Sequence, residues 1–169
     1  MQEAFKDIAE RSQKLLQEFS ERYRNESPKS ADPLNLTHTF LDFTAKMLAD
    51  PSKLLQAQME LWGEYMKLWQ ITAQRMLGQK VEPLAEPAKG DKRFNDPAWK
   101  DEVVFDYLKQ SYLLTARWLQ HTVKEVECVD DKTAQKVDFY TRQFVDAMSP
   151  SNFALTNPQV VKATVESKG

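Results

Sequence analysis

The chain has 169 residues, which suffices for one domain or for a small domain with an extended arm. Its formal net charge is −2 and it has no run of Lys or Arg, so a nucleic-acid-binding function is not expected. The single cysteine excludes an intrachain disulfide, and no stretch reaches the roughly 18–20 uncharged apolar residues needed to span a bilayer.

The N-terminal region is predicted to be a helical arm followed by a linker. Charges interrupt the sequence MQEAFKDIAERSQ every few residues, unlike a secretory signal, so we expect a cytoplasmic protein. At 3.6 residues per turn, residues 3–24 place Phe5, Phe19 and Tyr23 on one narrow apolar stripe. Such a stripe either docks the helix on its own domain or binds another protein or an apolar surface. Prolines and turn-forming residues at 25–33 predict the linker.

Two helices are predicted next, at residues 36–49 and 51–77, with Asp50 as the cap of the second and Pro51 in its first turn. Gly78 is expected to end the second helix. The apolar sector of this helix is much wider than about 100°, too wide for one contact seam. The helix is therefore either enclosed in a single core or offers Trp and Met side chains to a second subunit or a lipid-like surface. On the second interpretation, the residues that would form the interaction surface share one face; they are Leu55, Met59, Trp62, Met66 and Trp69.

The remaining chain predicts a proline-containing linker and three more helices. Residues 79–90 carry two prolines and are interpreted as the linker. Helices are expected at 98–127, after an Asp-Pro pair, at 132–148, and from Asn157-Pro158 onward. No segment alternates as a strand does. The predicted fold is all-α with five or six helices and no sheet, divided into an arm and linker at 1–30, a helical segment and linker at 31–90, and a helical block at 91–169.

The sequence offers no catalytic, metal-binding or cofactor-binding pattern. Cys128 lies among acidic residues, which disfavour the reactive thiolate. His38 and His121 have no evident partner for acid–base chemistry, and no Cys/His pair has metal-ligand spacing. The glycines are too far apart for a phosphate-binding loop or a nucleophile elbow. We therefore expect no enzymatic activity from this chain alone, no cofactor and no metal.

Several motifs in the second half occur together and in a fixed order. They are RF-x-D-x-AW, YLKQSYLL, TRQF and SPSNF-x-x-TNP, all within residues 91–169, preceded more loosely by DPSKLLQAQMELWGEYMKLW. In these motifs the chain resembles the N-terminal region of polyhydroxyalkanoate synthases, especially the class I poly(3-hydroxybutyrate) polymerases. Residues 1–30 are not diagnostic.

The resemblance implies a non-catalytic N-terminal domain of an acyltransferase. In that family a helical region precedes an α/β-hydrolase-like domain, whose Cys nucleophile, Asp and His polymerise 3-hydroxyacyl-CoA into a polyester granule. The N-terminal region is associated with dimer formation, granule attachment and contacts to granule-associated proteins, which implies a location at cytoplasmic polyester granules. Cys128 lacks the flanking glycines of the nucleophile, so none of the catalytic residues maps onto this sequence. The sequence stops where relatives continue, so an isolated domain or a truncated product is expected.

The sequence therefore predicts interaction surfaces rather than an active site. The aromatic residues of segment 91–120 are expected to anchor a helical module and also to face the catalytic domain. Complete burial of all three of its marker residues within this chain would remove support for the second role. Those markers are Phe94, Trp99 and Trp118. A free-standing, phasin-like granule-coat protein is the alternative, favoured by the Gln-rich amphipathic helices, and a self-contained enzyme is the least supported hypothesis.

Overall fold

The structure, a computed structural model, describes residues 36–126 and 130–167 together with the helical, exposed residues 14 and 18. Within those ranges the chain forms six α-helices and two short 3-10 turns without a strand, which confirms the predicted all-α class. The predicted helix at 3–24 and the linker after it lie outside the described ranges. The helices are α1 (Leu36–Ala49), α2 (Pro51–Met76), α3 (Ala98–Asp101), α4 (Val103–Lys124), α5 (Asp131–Ala147) and α6 (Pro158–Ser167).

The chain forms two compact units, each assembled from separate segments. The first unit combines Met1–Gln58 with Gln120–Arg142, and the second combines Met59–Leu119 with Gln143–Gly169. The second unit contains most of the motifs on which the family resemblance is based. The exceptions are Thr141 and Arg142 of TRQF and the first half of the segment that begins at Asp50. The domain boundaries at residues 30 and 90 stay a prediction.

Two Asp-Pro pairs start helices as predicted. Asp50 lies directly before α2, and its Oδ1 accepts the N–H of Lys53 at 3.2 Å. Asp96 accepts the N–H of Ala98 at 2.9 Å before α3. In both cases the following proline occupies a position where its missing N–H removes no helical hydrogen bond. Hydrogen bonds from Ser52 and then from the Lys53 N–H lower the pKa of Asp50 below its usual value, because they stabilise the carboxylate.

The C-terminus of α2 is closed at Gly78. The Gly78 N–H donates to the carbonyl of Arg75 at 2.9 Å, and the Gln79 N–H donates to Gln74 at 3.0 Å. This pair of bonds defines a Schellman motif, in which the residue after the helix adopts a left-handed conformation. Gly78 has φ of 79°, which explains why a glycine occupies this position.

The long helix predicted after Pro97 is broken in two, so that prediction was wrong. Glu102 separates α3 from α4 with φ of −94° and ψ of 118°, an extended conformation. Side chains from elsewhere in the second unit satisfy the carbonyls at the break. Lys109 Nζ donates to the carbonyl of Trp99 at 2.8 Å, and Arg75 Nη2 donates to that of Lys100 at 3.3 Å. Tertiary hydrogen bonds thus replace the helical ones lost at the break.

Residues 79–90, which we name the strap, contain no helix, as expected of a linker, but are packed into the second unit. Ala85 is almost completely buried. The N–H groups of Leu84 and Ala85 both donate to Oε1 of Gln110 on α4, at 2.6 and 3.2 Å. The apolar core of the unit combines α2, the strap and α4, through Leu68, Leu84, Ala85, Tyr107, Leu113 and Leu114.

Candidate interaction surface

A row of apolar side chains on α2 is exposed within the second unit. Their exposed fractions lie between 55% and 72%. At 3.6 residues per turn the row occupies a sector of about 100°, and none of the charged residues between positions 59 and 76 falls in it. We name this row the α2 stripe; it consists of Met59, Trp62, Met66, Trp69 and Met76.

A neighbouring side of α2, between the stripe and the polar face, holds the helix against α4. Leu68 is fully buried in the core of the second unit. Tyr65 places its hydroxyl 2.7 Å from Oγ1 of Thr115 and donates to the carbonyl of Ser111 at 3.4 Å. The orientation of α2 is therefore fixed by apolar burial and by directional hydrogen bonds. The sequence allowed two interpretations of this helix. Enclosure in a single core is not observed, because the α2 stripe faces solvent. Its use by a partner stays a prediction.

The other residues predicted to form interaction surfaces differ in their placement. Leu55 belongs to the first unit and is half exposed. Trp118 is partly buried. Phe5, Phe19 and Tyr23 lie in the part of the chain that the structure does not describe.

Phe94 and Trp99 are core residues, which corrects their interpretation as surface. Trp99 is only 1% exposed, and its ring meets that of Phe94 edge-on at 5.0 Å between centroids. The ring of Trp99 also meets that of Phe105, at 5.8 Å between centroids. Edge-to-face aromatic pairs of this kind are favourable and fill the core well. Because Trp118 is not fully buried, the aromatic segment anchors the unit mainly through Phe94 and Trp99.

Arg93, beside Phe94 in the RF motif, is a hydrogen-bonding hub. Its Nε and Nη2 bind the carboxylate of Asp91 at 3.0 and 2.8 Å. Its Nη1 donates to the Tyr112 hydroxyl at 3.0 Å and to Asp146 at 2.9 Å, and the guanidinium lies 5.7 and 5.6 Å from the ring centres of Phe94 and Tyr112. Hydrogen bonds from Arg93 lower the pKa of Asp91, and Asp91 in turn raises the pKa of Arg93. The hub ties the 3-10 turn to α4 and to the end of α5.

A buried charged network accounts for Lys109 and Gln110 of the YLKQSYLL motif and for Asp106 directly before it. Asp106 is 3% exposed and is paired with Arg75 through Oδ2 and with Lys109 at 2.9 Å through Oδ1. Gln110 Nε2 also donates to Oδ2 at 2.5 Å. Two cations and an amide thus surround one buried carboxylate, while its Oδ1 is ion-paired with Lys109 but accepts no hydrogen bond of normal geometry. These residues hold α2, α4 and the strap together.

The SPSNF-x-x-TNP motif forms a loop held by its own side chains. Asn152 Nδ2 donates to the carbonyls of Asp146 and Ala147 at 2.9 and 3.1 Å, which caps the C-terminus of α5. Thr156 Oγ1 donates to the carbonyl of Pro150 at 2.6 Å. These hydrogen bonds go to the backbone, and the hydroxyls of Ser149 and Ser151 lie 2.8 Å apart, so these side chains have a structural role here.

The second Asn of that motif starts α6. Asn157 Oδ1 accepts the N–H of Gln159 at 3.0 Å, and its Nδ2 donates to the carbonyl of Ser151 at 2.7 Å. The side chain therefore caps the helix and closes the loop at once. This confirms the helix start predicted at Asn157-Pro158.

Of the three residues considered for chemistry, the structure describes the side chain of His121. His121 lies on an exposed helix end with Nδ1 3.5 Å from Glu125 Oε2. Cys128 and the side chain of His38 lie outside the described residues. Across ranges 36–126 and 130–167 no group of three or more His, Cys, Asp and Glu side chains is arranged to hold a metal ion. None of the helices in these ranges is long and apolar enough to cross a membrane.

Comparison with known proteins gives consistent relatives. The chain is 42% identical over 134 residues to a poly(3-hydroxyalkanoate) polymerase of Methylorubrum extorquens, covering 79% of this chain and 22% of that protein. It is 39% identical over 140 residues to the poly(3-hydroxyalkanoate) polymerase subunit PhaC of Rhizobium meliloti (82% and 23%). The corresponding subunit of Cupriavidus necator is 35% identical over 129 residues (76% and 21%).

The chain thus spans less than a quarter of the length of these relatives. No solved structure matches it significantly. Residues 90–169 match the family described as the N-terminus of poly-beta-hydroxybutyrate polymerase (PhaC), which is the segment carrying the Arg93 hub, the Asp106 network and the capped loop. The resemblance inferred from the motifs is confirmed, and residues 90–169 of the chain belong to the poly-beta-hydroxybutyrate polymerase N-terminus family.

Proposed function

We propose that this chain is the non-catalytic N-terminal part of a polyhydroxyalkanoate polymerase and that the α2 stripe attaches the enzyme to the surface of the polyester granule. The relatives are named as polymerases of this polyester class. The observation that carries the proposal is the exposure of two Trp and three Met side chains on one uncharged sector of a firmly held helix. Large exposed apolar patches of this kind mark interaction sites.

A polyester surface suits the chemistry of the stripe. It is uncharged and apolar, and its ester carbonyls accept hydrogen bonds from the indole N–H of Trp62 and Trp69. The flexible Met side chains adapt to an irregular surface. Burial of a few hundred Å² at about 25 cal/mol per Å² contributes several kcal/mol before entropic losses.

The flanks of the stripe favour a neutral surface over an anionic lipid membrane. Helices that lie on membranes typically have polar faces rich in Lys and Arg. The polar face of α2 in the second unit instead carries Glu60, Glu64 and Lys67, with Lys67 paired to Glu64 at 2.9 Å. That face has no excess of positive charge with which to bind anionic headgroups.

A second exposed apolar group supports packing against the catalytic domain. Phe144, Met148 and Leu155, at the end of α5 and in the following loop, are all more than half exposed. The relatives are more than four times longer than the segment that matches this chain, so they have further protein to cover these residues. We assign this group to the α/β-hydrolase-like domain and the α2 stripe to the granule. Dimerisation and contacts with granule-associated proteins complete the proposed role, at polyester granules in the cytoplasm.

The test measures binding of the full chain to amorphous poly(3-hydroxybutyrate) particles by co-sedimentation. The double variant Trp62→Gln/Trp69→Gln replaces the two largest apolar side chains of the stripe, so we expect its affinity for particles to fall at least about tenfold. The matched control is Val104→Gln, which changes an apolar residue of the second unit that is 66% exposed but lies on α4. Unchanged binding of the Trp variant, or an equal loss in the control, would show that the stripe is not the attachment site.

A further inference from the structure

The strap is held to α4 by one buried side chain. Gln110 is 0% exposed, and its Oε1 accepts two consecutive strap amides, those of Leu84 and Ala85. Its Nε2 donates to the buried carboxylate of Asp106. Gln110 therefore joins the strap to the charged network. Its amide oxygen has these two donors only while the strap is in place.

The strap covers an apolar groove between α2 and α4. Leu84 and Ala85 pack on Leu68 of α2 and Leu114 of α4, together with Tyr107. If the strap is displaced, these groove residues lose the apolar atoms that cover them. The groove and the two amide hydrogen bonds together fit an extended segment that carries two adjacent apolar residues, as Leu84 and Ala85 do.

The ends of the strap are suited to act as hinges. Gly78 and Gly90 have positive φ angles, 79° and 92°, and an added Cβ at either would meet no atom within 4 Å. Between them, Pro83 and Pro87 lie on either side of the segment with the partly buried Leu84 and the buried Ala85, and restrict it to an extended shape. A stiff segment between two glycines moves most easily as a single piece.

We propose that the strap is a releasable cover: it opens as a unit at Gly78 and Gly90, Gln110 is its anchor, and opening exposes the groove between α2 and α4. The groove then accepts an extended peptide with the chemistry of the strap. Local opening of this kind requires that few contacts be broken, and here the two hydrogen bonds from the middle of the strap converge on one side chain. This inference is independent of the granule proposal, because it concerns the buried side of α2 and not the stripe.

Hydrogen–deuterium exchange on the full chain tests the anchor. In Gln110→Leu the strap amides lose their acceptor, so we expect exchange at Leu84 and Ala85 to rise about tenfold to a hundredfold, with much smaller changes in the middle of α4. The control is Gln143→Leu, at an exposed position of α5 in the same unit, which should exchange as wild type does. An equal rise throughout α2 and α4, or no rise in the strap, would overturn the proposal.

A second variant keeps Gln110 and the charged network intact. Leu84→Ser removes an apolar contact of the strap, so the groove should become available to a free, end-blocked peptide with the sequence KVEPLAEPAK, corresponding to residues 80–89. We expect isothermal titration to show saturable binding of this peptide to Leu84→Ser and at least about tenfold weaker binding to wild type. Absence of binding to the variant would contradict a groove that accepts extended peptides, whatever the exchange data show.

Discussion

At the scale of single residues, the buried carboxylate of Asp106 is the most consequential group in the second unit. It faces two cations, Arg75 and Lys109, at a position almost closed to water. Removal of the carboxylate leaves both cations partly desolvated without their counter-charge. We therefore expect Asp106→Ala to lower the free energy of unfolding by about 3–5 kcal/mol, measured by urea denaturation followed by Trp fluorescence.

An exposed ion pair on the same unit is the control for that variant. Glu64 and Lys67 are 2.9 Å apart, and their side chains are 36% and 63% exposed. Water screens such a pair, so Glu64→Ala should change the free energy of unfolding by less than about 1 kcal/mol. Similar losses in both variants would mean that burial does not determine the contribution of Asp106.

Asp91 gives a prediction for pH dependence. Hydrogen bonds from Arg93 lower its pKa in the folded chain below the usual 3.8. A lowered folded pKa stabilises the fold fully above the unfolded value, and this stabilisation disappears as pH falls through the folded value. In Asp91→Asn the titration is absent, while an amide oxygen can still accept the Arg93 N–H.

The difference in unfolding free energy between wild type and Asp91→Asn is the quantity to measure. It should favour wild type at pH 6–7 and shrink toward zero as the pH is lowered below about 3.8. Urea denaturation at a series of pH values gives this difference directly, because the titration of the other carboxylates is common to both proteins. A difference that stays constant with pH would contradict the role of the Arg93 pair.

The residue scale also shows what the sequence could not predict. Periodicity correctly placed Trp62 and Trp69 on one apolar face, whereas Phe94 and Trp99 were expected, from aromatic density and the family resemblance, to anchor the module and also face a partner, and they are buried. A pattern identifies which side of an element is apolar and does not identify what covers it. Likewise, Arg75 binds Asp106 but is distant from it in sequence, so this ion pair has no local sequence signature.

At the scale of elements, helix ends were predicted well wherever local chemistry defines them. The bounds of α1 are those expected, and Asp50, Gly78 and Asn157 act as the predicted terminators or caps. These signals involve residues within a few positions of each other. The break at Glu102 and the burial of the strap were missed because both depend on tertiary hydrogen bonds, to Lys109 and Gln110.

Two glycines of the α2 region should respond oppositely to the same substitution. Gly78 has φ of 79°, so Gly78→Ala places an alanine in a left-handed conformation. This variant should destabilise the fold by about 1–2 kcal/mol. Gly63 lies inside α2, and a Cβ there meets no atom within 4 Å, so Gly63→Ala should stabilise the fold by about 0.5–1 kcal/mol. Thermal unfolding of both variants checks the signs. Equal signs would contradict the conformational explanation.

At the scale of the whole molecule, exposed apolar surface is the dominant property of the second unit. Its two exposed groups, the α2 stripe and the set formed by Phe144, Met148 and Leu155, are built on elements whose other sides are firmly packed. Neither group can therefore be buried by a small repacking of its own element. In water each is expected to favour association with another apolar surface.

This leads to a prediction about self-association of the purified chain. If dimers form through the α2 stripe, wild type should show concentration-dependent dimerisation in sedimentation velocity, and Trp62→Gln/Trp69→Gln should weaken it at least about tenfold. Met148→Gln/Leu155→Gln is the matched variant on the other apolar group and should leave dimers formed through the α2 stripe unchanged, because neither residue lies on α2. The reverse pattern would assign the stripe to the granule alone and the second group to the dimer. A wild-type chain that stays monomeric at high concentration would contradict dimerisation through either surface.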